Sequence, residues 1–110
     1  MIIKNNQPKG LETAEYLDIA RKMLRDDYLD RIEGDTPMLY TKSRVAKKMG
    51  IARQTFSKYV TEEGSWPKPE LSTFIHYAQA VNMPPSQFFF LMAGMFHQAE
   101  DLQKLKNNDK

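Results

Sequence analysis

Apolar residues recur at helical spacing along most of this chain, and no segment alternates with period two for long enough to form a strand. That restricts the fold to α-helices packed on one another. At 110 residues the chain suits one domain, since two separate cores would each be undersized. Leu17, Ala20, Leu24, Tyr28 and Ile32 mark one face of a first helix over Thr13 to Ile32, widened by Tyr16, Ile19 and Met23. Its outer face interleaves acids with Arg21, Lys22 and Arg25. Gly34-Asp35-Thr36-Pro37 signals a loop. A second helix is expected over Lys42 to Met49, capped by Thr41 and burying Val45, Ala46 and Met49. Gly50 ends it by supplying a left-handed backbone. A third helix, about Arg53 to Thr61, buries Phe56 with Tyr59 or Val60. Leu71, Phe74, Ile75, Ala78 and Val81 define a fourth, with Pro69 in its first turn and Asn82 just past its end. Ser86 is suited to cap a last helix, about Gln87 to Leu105. Residues 1–10 read as a flexible arm, 11–105 as the single helical domain, and 106–110 as a polar tail.

Several function classes drop out early. With no Cys there is no disulfide, no thiolate metal site and no Cys nucleophile. The longest apolar run, Phe88 to Phe96, is about half of the roughly 20 residues that span a membrane. Met1 to Gly10 lacks the basic-then-apolar layout of a signal peptide. A cytoplasmic protein with no membrane partner is therefore expected. His76 and His97 stand isolated, with no His, Asp or Glu at ligand spacing on a matching face, so no metal and no cofactor is expected. Asp26, Asp27 and Asp30 lie among arginines on an amphipathic helix, and the solvated face is the plainer reading of them. Trp66 reads as a loop-packing residue or a contact to a second copy. No nucleophile, base and orienter fall into one constellation, so an enzyme is the least favoured class.

Charge is distributed unevenly. The net charge is only +2, yet Lys42, Arg44, Lys47, Lys48, Arg53 and Lys58 fall within 42–59, which holds no acid. The stretches 1–41 and 60–86 each net −2. Such a block faces a polyanion more naturally than it aids general solubility. It also coincides with a motif. Residues 41–60 read as a helix, a Gly-centred turn and a second short helix. Ala46 is small where the second helix crosses, and Val45, Met49, Ile51 and Phe56 form the wedge between the two. Arg53, Gln54, Thr55, Ser57 and Lys58 project from the second helix with no apolar member.

This stretch resembles the helix-turn-helix of the lambda-repressor-like, Cro-type family of DNA-binding domains. The resemblance covers Tyr40 to about Leu91 and continues through Gly64, Pro69-Glu70-Leu71, Ile75, Ala78, Ala80-Val81-Asn82-Met83 and Ser86-Gln87-Phe88. It departs from the family pattern at Lys42, where Gln is usual, at Ala52, where a capping Ser is usual, and at Val60, where an acid is usual. The resemblance implies an all-α, five-helix DNA-binding domain, here with an extended first helix and a C-terminal dimerisation helix. It implies that the recognition helix enters the major groove N-terminus first. Arg53 and Gln54 then meet base edges, while Thr55, Ser57 and Lys58 reach bases or the flanking backbone. Lys42, Ser43 and Arg44 hold phosphates by charge and by free backbone amides, and Lys68 adds a backbone contact. For Lys47 and Lys48 a solubility role is equally compatible. Lys4 and Lys9 make the arm a candidate groove reader, although an idle terminus is the plainer reading.

The last helix is apolar on every side between Phe88 and Phe96, which implies a second partner surface. One heptad register places Phe88, Met95 and Leu102 at one seam position and Leu91, Gln98 and Leu105 at the other. Phe88, Phe89, Leu91, Met92, Met95, Phe96 and Leu102 are the expected homodimer contacts. The function implied is a transcriptional regulator, a repressor by preference, binding double-stranded DNA as a homodimer on a palindromic operator without a small-molecule effector. Alternatives are a DNA-binding accessory factor, an antitoxin-type autoregulator, and a protein-interaction domain that has lost DNA binding.

Overall fold

The computed structural model describes residues 10–61 and 66–108. Its regular structure is helical throughout: α1 (Thr13–Ile32), a short 3₁₀ turn (Pro37–Tyr40), α2 (Lys42–Met49), α3 (Arg53–Tyr59), α4 (Leu71–Ala80) and α5 (Pro85–Asn108). The expected arm at 1–9, the loop residues 62–65 with Gly64, and tail residues 109–110 lie outside the described residues. No described helix is long and apolar enough to cross a membrane.

The helix ends follow from local chemistry. The Glu15 carboxylate accepts from the Glu12 amide at 2.9 Å at the start of α1. Thr41 Oγ1 accepts from the Arg44 amide at 3.2 Å and caps α2 as expected. Gly50 (φ 74°) and Asn82 (φ 61°) hold the left-handed backbone that ends α2 and follows α4. Each turn is closed by a bond back into its helix, Ile51 N–H to the Ala46 carbonyl at 3.0 Å and Met83 N–H to the Ala78 carbonyl at 2.8 Å.

Packing runs through a line of aromatic rings. Phe56 of α3 meets Tyr28 of α1 edge-on at 4.9 Å and stacks with Tyr77 of α4 at 6.4 Å. Tyr77 then contacts Phe88 of α5 at 5.7 Å, and Phe88 lies against Phe74 at 6.3 Å. These rings are buried together with Leu24, Val45, Ala46 and Ala78. α1 and α5 run antiparallel. Tyr16 meets Phe96 edge-on at 4.9 Å and donates to the Glu100 carboxylate at 2.7 Å, while Ala20 lies near Met92. One polar network penetrates this core. The Tyr77 hydroxyl donates to Asp27 at 2.6 Å, Arg31 Nε donates to the same oxygen at 2.8 Å, and the Arg31 guanidinium lies 5.3 Å over the Tyr40 ring.

Several expectations change, among them the end of α3, which stops at Tyr59 and not Thr61. Pro37, read as loop, opens the 3₁₀ turn. Pro69 precedes α4 instead of entering its first turn, because Glu70 is the cap residue. Leu71 is 66% exposed and Ile75 only half-buried, and Tyr77 and Ala80 take the inward places beside Phe74, Ala78 and Val81. Leu71 instead borders an apolar groove of about 390 Å³ between α1, the start of α4 and α5. Ser86 lies inside α5 and does not cap it. The carbonyl of Pro84 accepts the first helical bonds, from Gln87 at 2.9 Å and Phe88 at 3.2 Å, so Pro85 takes the first helical position. At its other end α5 continues past Leu105 to Asn108.

Burial and the adjacent Asp27 carboxylate push the Tyr77 phenol far above its ordinary pKa of 10.0. The unfolded chain therefore loses this proton first. The contribution of Tyr77 to stability is whole below pH 10 and declines as the pH rises above it. In Tyr77→Phe the alkaline fall in stability should lessen by about one bound proton. Urea titrations at a series of pH values above 9 check this; equal alkaline slopes in both proteins would show that Tyr77 ionises freely in the fold.

Candidate functional site

α3 is seven residues long, about two turns, too short to be helical alone. Ala52 gives it no side-chain cap, a loss of about 1 kcal/mol against Ser. Phe56, fully buried, outweighs that loss, because truncating such a ring costs roughly 3–5 kcal/mol. Phe56, Tyr59 and Val60 hold the inner face of α3, so both candidates for the third inward place are buried. The outer face is thereby assigned to polar residues. Arg53, Gln54, Ser57 and Lys58 line one shallow groove of about 250 Å³. Thr61 completes it, a residue missing from the expected set although its spacing from Ser57 and Lys58 places it there. Thr55 is half-buried and does not line the groove.

α2 meets this face through one hydrogen bond. Lys42 Nζ donates to Ser57 Oγ at 3.1 Å, which ties the start of α2 to the middle of α3. Ser57 is thus held from below, with its own hydroxyl proton left to donate outward. Ser43 and Arg44 are exposed in the first turn of α2. The expectation of free amides there is corrected in part, since the Arg44 amide is taken by the Thr41 cap. Lys68 is exposed in the loop before α4 and does not line the α3 groove.

The electrostatics separate sharply by element. Among the described residues every ion pair lies within α1 or α5: Asp18 with Arg21 and Lys22, Asp26 with Arg25, Asp27 with Arg31, and His97 with Asp101. Lys42, Arg44, Lys47, Lys48, Arg53 and Lys58 have no carboxylate partner there. Arg53 also lies close enough to Tyr28 to offset some of the upward push that burial gives that phenol. The face therefore offers guanidinium, ammonium, amide and hydroxyl donors with uncompensated positive charge, a set that binds anionic oxygens and heterocyclic edges.

α5 divides the expected dimer contacts. Phe88 and Met92 are inside this domain, and Phe89 and Phe96 pack partly against the same core. These four leave the partner-facing set, because α1 and α4 already cover that side of α5. Leu91, Met95 and Leu102 remain exposed, joined by Phe90 and Leu105. Trp66 packs within its own domain, under Arg21 at 4.5 Å and Arg25 at 5.9 Å. His97 has an acidic neighbour after all, Asp101 one turn on at 3.4 Å. Among the described residues no three His, Asp or Glu side chains gather as a metal site needs.

No protein-family model matches this chain, and no curated protein or solved structure matches it either.

The turn at Gly50 sets the relation of α2 to α3, and a Cβ there would meet no atom within 4 Å. Substitution is therefore resisted by backbone conformation alone. Gly50→Ala should destabilise by about 1–2 kcal/mol, and Gly50→Asn by less, because Asn tolerates the left-handed region. Thermal melts of the three proteins check this; equal losses for Ala and Asn would point to a steric cause instead.

Proposed function

We propose that this chain is a sequence-specific DNA-binding transcriptional regulator of the lambda-repressor-like helix-turn-helix type, acting in the cytoplasm as a homodimer on a palindromic operator, and a repressor. It is a binding protein in this reading and not an enzyme. The observation that carries it is the charge separation: among the described residues the six cations of α2 and α3 stand without carboxylate partners, while Asp18, Asp26 and Asp27 of α1 are paired on their own helix. A polyanion lying across α2 and α3 supplies the missing charge. The resemblance of residues 41–60 supports duplex DNA as that polyanion.

The roles follow from position. Arg53 and Gln54 are exposed at the start of α3, where side chains reach base edges first. Arg suits guanine and Gln suits adenine, each through paired hydrogen bonds. Lys58 and Thr61 sit further along the same groove, facing bases or the flanking sugar-phosphate. Ser43 and Arg44 hold backbone phosphates. Lys42 does so while bracing Ser57, and Lys68 flanks the site.

Selection of random duplexes, about 30 base pairs long, should recover a two-fold symmetric motif with half-sites about 10 base pairs apart. Arg53→Ala and Gln54→Ala should then each lose roughly 1–3 kcal/mol of preference at particular base pairs. Arg44→Ala should weaken binding to every sequence and reduce the salt slope by about one. An asymmetric motif would count against a dimer on a palindrome. Salt-labile binding with no enriched motif would overturn sequence-specific recognition.

A further inference from the structure

We infer that the homodimer forms through the exposed stripe of α5, with the two copies of this helix parallel and in register. This rests on the dimer reading above and adds its surface and its geometry. The stripe consists of Leu91, Met95, Gln98, Leu102 and Leu105, separated by alternating steps of four and three, the spacing of a coiled-coil seam. Its four apolar members are all exposed, Leu102 at 60% and Leu105 at 65%. The adjoining side of α5 is occupied by α1 and α4 through Phe88, Met92 and Phe96, and Leu102 and Lys106 border the groove between α5 and α1. A stripe of about two heptads would be weak as an isolated peptide. Here the helix is already ordered by the rest of the domain, so association does not have to cover the entropy of forming it.

Two features select the orientation. Gln98 is the one polar member of the stripe and sits at its centre. In a parallel, in-register pair it faces the Gln98 of the second copy, where each amide can both donate and accept. In an antiparallel pair it faces Met95 or Leu102, and a desolvated amide is left without a partner. The flanks agree. Asp101 and Lys106 occupy the g and e positions of successive heptads, five residues apart, the pair that meets across a parallel seam. By symmetry this contact forms twice. Antiparallel packing puts the two residues on opposite flanks, where neither reaches the other. Asp101 remains available for this pairing, being 54% exposed beside His97.

The chain has no Cys, so one introduced thiol reports one position. The test uses full-length protein with Gln98→Cys, oxidised and run on a non-reducing gel, beside Lys104→Cys on the outward side of α5 and sedimentation of the unsubstituted chain. A dimeric mass is expected, with most Gln98→Cys chains covalently joined and Lys104→Cys chains not joined. A dimeric mass without the Gln98→Cys link overturns the parallel seam and leaves the dimer standing. Equal linking of both variants shows collision in solution and overturns the seam as well. A monomeric mass at micromolar concentration overturns the seam and the dimer reading together.

Discussion

The polar face depends on the burial of Phe56. α3 has only seven residues and lacks a side-chain cap, so neither length nor propensity keeps it helical. The ring of Phe56 lies between Tyr28 and Tyr77, which belong to α1 and α4. The orientation of α3 is thus inherited from two longer helices. Those helices are tied to each other where Tyr77 and Arg31 converge on one oxygen of Asp27. Arg31 also covers Tyr40, whose carbonyl accepts from the Tyr28 hydroxyl at 2.7 Å, immediately before Thr41 caps α2. One connected set of contacts therefore places both the start of α2 and the axis of α3. The Lys42–Ser57 bond is the visible surface end of that set.

Charge follows the same division. Asp18, Asp26 and Asp27 of α1 find basic partners one residue or one turn away on their own helix. Such surface pairs add little stability, typically below about 1 kcal/mol. Their larger effect is on the field, since they neutralise α1 locally and leave the cations of α2 and α3 uncompensated. Had those acids faced α2 instead, the same composition would have produced a neutral surface.

Much of this was legible in the sequence because the signals were local. α1 and α2 have the expected bounds, and Thr41, Gly50 and Asn82 act as read, since caps and left-handed turns are decided by one or two residues. Val45, Ala46 and Met49 are buried for the same reason: a short amphipathic helix has only one possible inner face. The misreadings arose where two faces were chemically similar. On α4, Leu71 and Tyr77 both fit an apolar stripe, and only the position of Phe56 makes Tyr77 the inward one. On α5, three successive phenylalanines give no internal clue to which one faces inward. Phe88 is fully buried while Phe90 is 78% exposed, a choice made by Phe74 and Tyr77 on a different helix. Thr61 was left out of the site although the expected third helix reached it; α3 stops at Tyr59, two residues short, yet the chain carries the Thr61 side chain onto the same groove.

α5 resolves the problem of an all-round apolar segment by dividing it. Phe88, Met92 and Phe96 advance by four residues at each step, slightly more than one turn, and follow the contact with α1 and α4. Leu91, Met95, Gln98, Leu102 and Leu105 average three and a half, slightly less than one turn, and form a separate line. The two lines drift apart along the helix, so the exposed one is freest toward the C-terminal half, where Leu102 and Leu105 are most open. Leu102 still borders a groove with Leu11, Ala14 and Ile19 of its own domain, whereas Leu105, 65% exposed, lies outside that groove, so the apolar character of Leu105 is what a second copy would account for.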